Sequence, residues 1–139
     1  MLQRFVSASF VASIGIAFGA VVLWMAKHIW TLQNTHQLAL MWCCIPAIWG
    51  VWAMLTPRSW MPDRLPVWGA ILGLLACANA VFVLNLPQKI LGEYVSAFYR
   101  AVGVLIAIAV YYLLWMVVRL VYRALRGPEQ AEKDFRAAA

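Results

Sequence analysis

The residues of this chain best suited to chemistry are soft metal ligands near the start of its second apolar stretch. Cys43 and Cys44 are adjacent, and His36 precedes them by a few residues. Thiolate and imidazole groups suit Cu(I) and other soft ions. Neighbouring residues on a helix point about 100° apart, so one ion cannot easily bind both thiols. Cys43, Cys44 and His36 are therefore the candidate metal ligands of a carrier for soft metal ions or another small solute.

Catalytic chemistry has little support in the sequence. The carboxylates all lie outside the long apolar stretches: Asp63, Glu93, Glu129, Glu132 and Asp134. General acid–base catalysis needs titratable groups that converge on one site, and proton-coupled transport usually needs an ionisable residue within the membrane. Both histidines, His28 and His36, precede the second apolar stretch, whereas a haem between helices needs imidazoles within the spans. We therefore expect a non-enzymatic protein without a cofactor.

The elements that must position these residues are four long apolar runs. They contain no Asp, Glu, Lys, Arg or His, and they cover Phe5–Ala26, Leu38–Leu55, Pro66–Leu86 and Ala101–Val118. A helix needs about 20 mostly apolar residues to cross roughly 30 Å of hydrocarbon. Transmembrane β-strands alternate apolar and polar residues, whereas these runs are apolar on all sides. The sequence therefore predicts an all-α integral membrane protein with a bundle of four transmembrane helices.

One domain accounts for nearly the whole chain. With 65% hydrophobic and only 12% charged residues, the sequence is far more apolar than an ordinary soluble domain. The fourth helix is expected to extend beyond its apolar run to about residue 126, because Gly127 and Pro128 form a stop signal. We assign residues 1–127 to the transmembrane domain and residues 128–139 to a short charged cytoplasmic tail.

The distribution of basic residues predicts the orientation of the bundle. With four spans, the N-terminus, the second loop and the C-terminus share one side of the membrane. That side carries most of the basic residues: Arg4, Arg58, Arg64, Arg119, Arg123, Arg126, Lys133 and Arg136. Because basic residues of short loops accumulate on the cytoplasmic side, both termini are expected to be cytoplasmic, in a bacterial inner membrane. The net charge of +6 then reflects topology, and no nucleic-acid partner is expected.

Two pairs of glycines, each four residues apart, mark helix faces that allow close packing. Gly15 and Gly19 lie in the first run, and Gly69 and Gly73 lie in the third. Small residues at this spacing stack on one side of a membrane helix and let a neighbouring backbone approach closely. We expect these faces to pack the first helix against the third within the monomer. The alternative is an interface with a second copy or with a partner subunit.

Three arginines form a basic stripe at the end of the fourth helix. Arg119, Arg123 and Arg126 recur at spacings of four and three residues, so their side chains project from one face. Such side chains extend toward lipid phosphates and fix the helix in the bilayer. The alternative function of the stripe is to bind an acidic partner or anionic lipid.

Several of the eight tryptophans stand at the ends of the apolar runs. Amphipathic indoles anchor helices at headgroup level. We therefore expect Trp52, Trp68 and Trp115 at one membrane interface and Trp24 and Trp30 at the other. Trp49 lies deeper in its run, which predicts packing inside the bundle.

The sequence has few residues suited to catalysis and several features suited to helix packing. This contrast indicates the class of function. We expect an accessory or scaffolding subunit of a larger membrane assembly, in contact with the lipid bilayer and with a membrane protein partner or a second copy. Two alternatives remain: the carrier for soft metal ions or a small solute, and a self-associating pore resembling a phage holin.

Overall fold

The computed structural model describes residues 1–29 and 35–127, and this part of the chain is almost entirely helical. Its long helices are broken only by short turns, and no strand occurs among the described residues. The five α-helices are α1 (Leu2–Ile29), α2 (Thr35–Met54), α3 (Leu65–Ala78), α4 (Leu86–Leu91) and α5 (Ala97–Arg126). The predicted all-α fold is confirmed. The predicted tail, residues 128–139, lies outside the described residues.

Three helical segments are long and apolar enough to cross a membrane. They are Leu2–Ala26, Leu65–Val83 and Ala97–Arg126. The described apolar part of α2, Ala39–Met54, is shorter. The sequence predicts helices long and apolar enough to cross a membrane, and by length and composition these three segments confirm it.

The segment Leu65–Val83 ends in an irregular turn. A π-helical turn, Asn79–Val83, continues α3, and the Leu84 N–H donates to the Asn79 carbonyl over 3.0 Å. Asn85 then adopts a left-handed conformation with φ of 53°, which asparagine tolerates better than most residues because its short polar side chain bonds locally. The short helix α4 begins there and ends at Gly92, which is also left-handed. This sharp reversal returns the chain to α5.

The helices are arranged as two close pairs, α1 with α2 and α3 with α5, and α1 also packs against α5. The buried apolar residues of the common core are Ala8, Val11, Ala12, Trp49, Ala53, Leu65, Leu72, Trp115 and Val118. They come from the first half of α1, the second half of α2, the first eight residues of α3 and the second half of α5. The core therefore lies toward one end of the bundle, where α1 begins and α5 ends. We call this the basic end.

Small residues bring α1 and α2 together near the basic end. The Ser9 hydroxyl donates to the Pro46 carbonyl over 2.8 Å. A Cβ atom placed on Gly50 would lie 2.5 Å from the Phe5 ring and 2.5 Å from the Ser9 oxygen. Because ordinary carbon contacts need about 3.5–4.0 Å, only glycine fits at this point. Ala53 and Ala8, both fully buried, continue the same close contact.

Candidate functional site

The candidate metal ligands are not joined by further ligands in the described part of the chain. Cys43 and Cys44 are exposed, and Cys77 is half-buried. The His36 side chain lies outside the described residues. Among the described side chains, no group of three or more His, Cys, Asp or Glu residues could hold a metal ion. The metal site at Cys43, Cys44 and His36 stays a prediction from sequence.

The two glycine faces do not meet, and the predicted packing of the first helix against the third through them is wrong. A Cβ atom on Gly69 would lie 2.0 Å from Cγ of Trp115, and one on Gly73 would lie 2.7 Å from Cβ of Tyr111. The glycine face of α3 is therefore filled by two aromatic residues of α5 at matching four-residue spacing. An aromatic side chain gains more contact in such a groove than a second glycine surface would.

The glycine face of α1 has a different environment from that of α3. Apart from the nearby backbone of α1 itself, no atom of the described residues lies within 4 Å of a Cβ placed on Gly15, while one on Gly19 would lie 3.3 Å from the tip of the Trp42 ring. Gly19 thus helps to pack α1 against α2. Gly15 has space beside it that no part of the described chain fills.

An aromatic cluster forms the centre of the packed half. The Trp49 ring of α2 lies 5.2 Å from the Tyr111 ring and 5.4 Å from the Trp115 ring, both on α5, measured between centroids. Tilted rings at this separation attract each other beyond the area they bury, by about 0.5–1.5 kcal/mol per pair. Trp49 lies in the bundle, as the sequence predicts. Trp115 is fully buried, so its ring packs inside the bundle, and its place at the membrane interface stays a prediction.

Trp52 and Trp68 join the end of α2 to the start of α3 through two reciprocal hydrogen bonds. We call this pair the clasp. The Trp52 indole N–H donates to the Trp68 carbonyl over 2.9 Å, and the Trp68 N–H donates to the Trp52 carbonyl over 3.0 Å. Their rings stack with centroids 4.8 Å apart. The carbonyl of Trp52 belongs to the last turn of α2, where carbonyls lack helical partners. The Trp68 indole therefore acts as a cap for α2 as well as a packing residue.

The basic end is tied together by arginines from two helices. The Arg4 guanidinium of α1 donates to the Thr56 carbonyl over 3.1 Å, just after α2 ends. Asp63, before α3, forms an ion pair of 2.7 Å with Arg123 and accepts a longer bond of 3.5 Å at its carbonyl from Arg119. The predicted basic stripe is thus turned partly inward, toward the connection between α2 and α3. Arg126 lies over the Tyr122 ring, with 4.9 Å to its centroid.

Arg100 organises the opposite end of the bundle. Its guanidinium donates to the Val95 carbonyl over 2.8 Å, to Oδ1 of Asn85 over 2.6 Å and to Oε1 of Gln88 over 3.3 Å. All three acceptors belong to the connection between α3 and α5. One cation at the start of α5 therefore holds the reversal at Asn85 in place. The sequence gives no specific signal for this role, because the acceptors are scattered amides and a backbone carbonyl.

An apolar cleft of about 140 Å³ lies between α1, α2 and α5. Its walls include Gly15 and Ile16 of α1, Trp42 and Ile45 of α2, and Leu114 of α5. These positions are near the midpoints of their helices, directly beyond the aromatic cluster. The cleft marks where tight packing stops. Its walls offer hydrocarbon contact and no charged group.

Comparison with known proteins gives no relative for this chain. No protein-family model, no curated protein and no solved structure matches it.

Proposed function

We propose that the chain is a non-enzymatic accessory or scaffolding subunit of a larger membrane assembly, with four spans and both termini in the cytoplasm of a bacterium. The number of spans is supported by α2, whose 20 residues extend about 30 Å at 1.5 Å per residue. The shared side of the termini is supported by the bond from the Gln3 amide to the Leu125 carbonyl, 3.4 Å long. Reporter fusions at the two ends should both behave as cytoplasmic. A C-terminal reporter on the outer side would contradict the charge argument.

The proposed role rests on the small buried fraction of each long apolar segment. In the most apolar window of each of the three long segments, 22%, 22% and 17% of the residues are buried. Four residues of α5 are buried: Val104, Trp115, Val118 and Tyr122. Three of them belong to its second half. Most of the first half of α5, and of the second half of α1, is available to lipid or to another protein.

The position of Gly15 supports a protein partner over lipid alone. Gly15 gives up about 0.5–1 kcal/mol of helix stability relative to alanine, and its face has no neighbour within 4 Å. Small residues on membrane helices allow close approach of another backbone. An apolar helix of a partner, seated against Gly15 and the cleft, would use this face as α5 uses the glycine face of α3.

A pair of matched variants tests the accessory role. Gly15→Leu and Gly103→Leu each add a side chain where no atom lies within 4 Å of the new Cβ, but only Gly15 lines the cleft. Both variants should fold. In gently solubilised membranes of the host organism, the wild type and Gly103→Leu should migrate in a complex larger than the monomer, and Gly15→Leu should migrate as the monomer. A wild-type chain found only as a monomer would refute the proposal.

The alternatives have no comparable support among the described residues. A carrier for soft ions would need ligands beyond the exposed thiols of Cys43 and Cys44. A holin-like pore would need polar groups along an exposed helix face, and the exposed positions of α5 include Leu105, Ile106 and Leu113.

A further inference from the structure

The basic end carries a concentrated positive charge. Six arginines of the described chain lie there, on three separate segments, and Asp63 is the single carboxylate among the described residues of that end. The arginines are Arg4, Arg58, Arg64, Arg119, Arg123 and Arg126. Charges of one sign gathered on one surface attract ions of the opposite sign within about a Debye length.

These arginines differ in how far the protein itself satisfies them. Arg4, Arg119 and Arg123 are bonded to the connection between α2 and α3, at Thr56 or Asp63. Asp63 does not saturate its two neighbours, because the buried Nε of Arg119 has no hydrogen-bond acceptor among the described residues. By contrast, Arg58 and Arg64 are exposed.

The position of Arg58 and Arg64 suits a lipid phosphate. Both belong to the short connection between α2 and α3, so they lie next to the end of one apolar helix and the start of another. Leu55, which directly follows α2, is 63% exposed. Arg64 stands over the Trp60 ring, with 5.9 Å to its centroid, and tryptophan is enriched at headgroup level. Arginine binds phosphate through two parallel N–H groups.

We propose that Arg58 and Arg64, together with Arg123, form a binding surface for the headgroups of anionic phospholipids, and that Asp63 competes with those headgroups for Arg123. The bilayer is the favoured source of the anion because the cations are spread around the ends of several helices, beside exposed apolar residues. The ion pair between Arg123 and Asp63 is 48% and 76% exposed at its two side chains, so an approaching phosphate can reach it. This surface is separate from the cleft and does not depend on the accessory role.

The proposal predicts opposite effects for two kinds of substitution. Basic residues near an anionic surface each contribute about fivefold to the affinity. Arg58→Gln with Arg64→Gln should therefore weaken binding of phosphatidylglycerol roughly 25-fold. Asp63→Asn should strengthen it by about fivefold, because it removes the competing carboxylate and one negative charge. If the ion pair has only a structural role, Asp63→Asn should not strengthen the binding of phosphatidylglycerol.

The test is a lipid titration of the full chain in a neutral detergent. Thermal unfolding is followed while phosphatidylglycerol or phosphatidylcholine is added, and each variant is compared with its own lipid-free midpoint. Stabilisation by phosphatidylglycerol alone, weaker in the double variant and stronger in Asp63→Asn, is the expected result. Lys89→Gln, which removes a charge at the opposite end, is the control and should leave the titration unchanged.

Two results would overturn the proposal. One is equal stabilisation by both lipids, which would leave an acidic protein as the counterpart of the arginines. The other is an equal loss in Lys89→Gln, which would mean that total charge rather than this surface is responsible. If the double variant does not fold, Asp63→Asn and the single change Arg58→Gln decide the matter, since Arg58 is an exposed side chain.

Discussion

Alanine at the glycines of α3 should destabilise the bundle, whereas alanine at Gly15 should not. A Cβ atom on Gly69 would lie 2.0 Å from Cγ of Trp115, about 1.5 Å closer than a carbon contact allows. The atoms concerned are near the Trp115 backbone, so rotation of the ring cannot remove the overlap. Either α3 and α5 separate or Trp115 leaves its place against Trp49. Overpacking of this kind costs about 1–3 kcal/mol.

The same substitution should increase stability where space is available. At Gly15 and at Gly103, no atom lies within 4 Å of the added Cβ. Alanine there removes the conformational freedom of glycine and should stabilise the helix by about 0.5–1 kcal/mol. Gly73→Ala, with 2.7 Å to Cβ of Tyr111, should lie between these sites and Gly69→Ala.

Reversible unfolding in detergent micelles checks the series. We expect the order of stability to be Gly15→Ala and Gly103→Ala above the wild type, then Gly73→Ala, then Gly69→Ala. Trp115→Ala removes Cγ and Cδ1, two of the overlapping atoms, so Gly69→Ala with Trp115→Ala should cost less than the sum of the two single changes. Equal stability of Gly15→Ala and Gly69→Ala would refute the assignment of Gly69 to the contact with α5.

Three further outcomes follow from the described contacts. Trp52→Phe and Trp68→Phe should each cost about 1 kcal/mol by removing one of the two reciprocal hydrogen bonds, and similar unfolding midpoints for the two variants would support the clasp. Arg100→Lys keeps the charge but cannot reproduce three guanidinium bonds, so proteolysis between α3 and α5 should become faster in this variant than in the wild type, while an unchanged rate would contradict the role of Arg100. Cys43→Ser with Cys44→Ser should leave cellular copper and mercury accumulation unchanged, and a loss of accumulation would favour the metal carrier over the accessory role.

The apolar runs were sufficient to predict where the spanning helices lie. The first run was bounded at Phe5 and Ala26, and α1 extends a few residues beyond it on both sides, from Leu2 to Ile29. The extension at the start of α1 includes Arg4, whose guanidinium donates a hydrogen bond to the Thr56 carbonyl at the basic end. An apolar run marks the part of a helix that suits hydrocarbon. The helix itself continues into the polar residues on either side. The bounds of α1 are therefore predictable to within a turn.

The pairing of helix faces was not predicted, although part of the signal was present. Gly69 and Gly73 were matched to the other glycine pair, while their partners in the structure are Tyr111 and Trp115. Two observations favour the correct partner. Both aromatic residues share the four-residue spacing of the glycines, and elements joined by a short connection usually pack side by side. A tryptophan near the end of an apolar run suggests an interfacial anchor equally well, and only the packed structure separates the two roles.

The contacts between distant residues had no signal in the sequence. Arg123 and Asp63 are far apart along the chain, and each resembles an ordinary residue at a membrane surface. Gly50 is a similar case, because no second glycine stands four residues away to mark its face. Its close contact is with Phe5 and Ser9 of α1, and the alanines at positions 8 and 12 continue the small surface. Such contacts depend on the relative rotation of two helices, which composition does not determine.

The structure separates the part of the molecule that maintains the fold from the part available for binding. The aromatic cluster around Trp49 and the clasp of Trp52 with Trp68 lie in the half of the bundle near the basic end. The other half has the cleft, Gly15 and a connection held mainly by Arg100. A substitution destabilises a bundle mainly where its new atoms overlap with packed neighbours. Since Gly15 has open space beside it, changes there should alter association while the monomer stays folded. Loss of a complex in such variants can then be assigned to the interface, whereas the same loss in a Gly69 variant would reflect damage to the bundle.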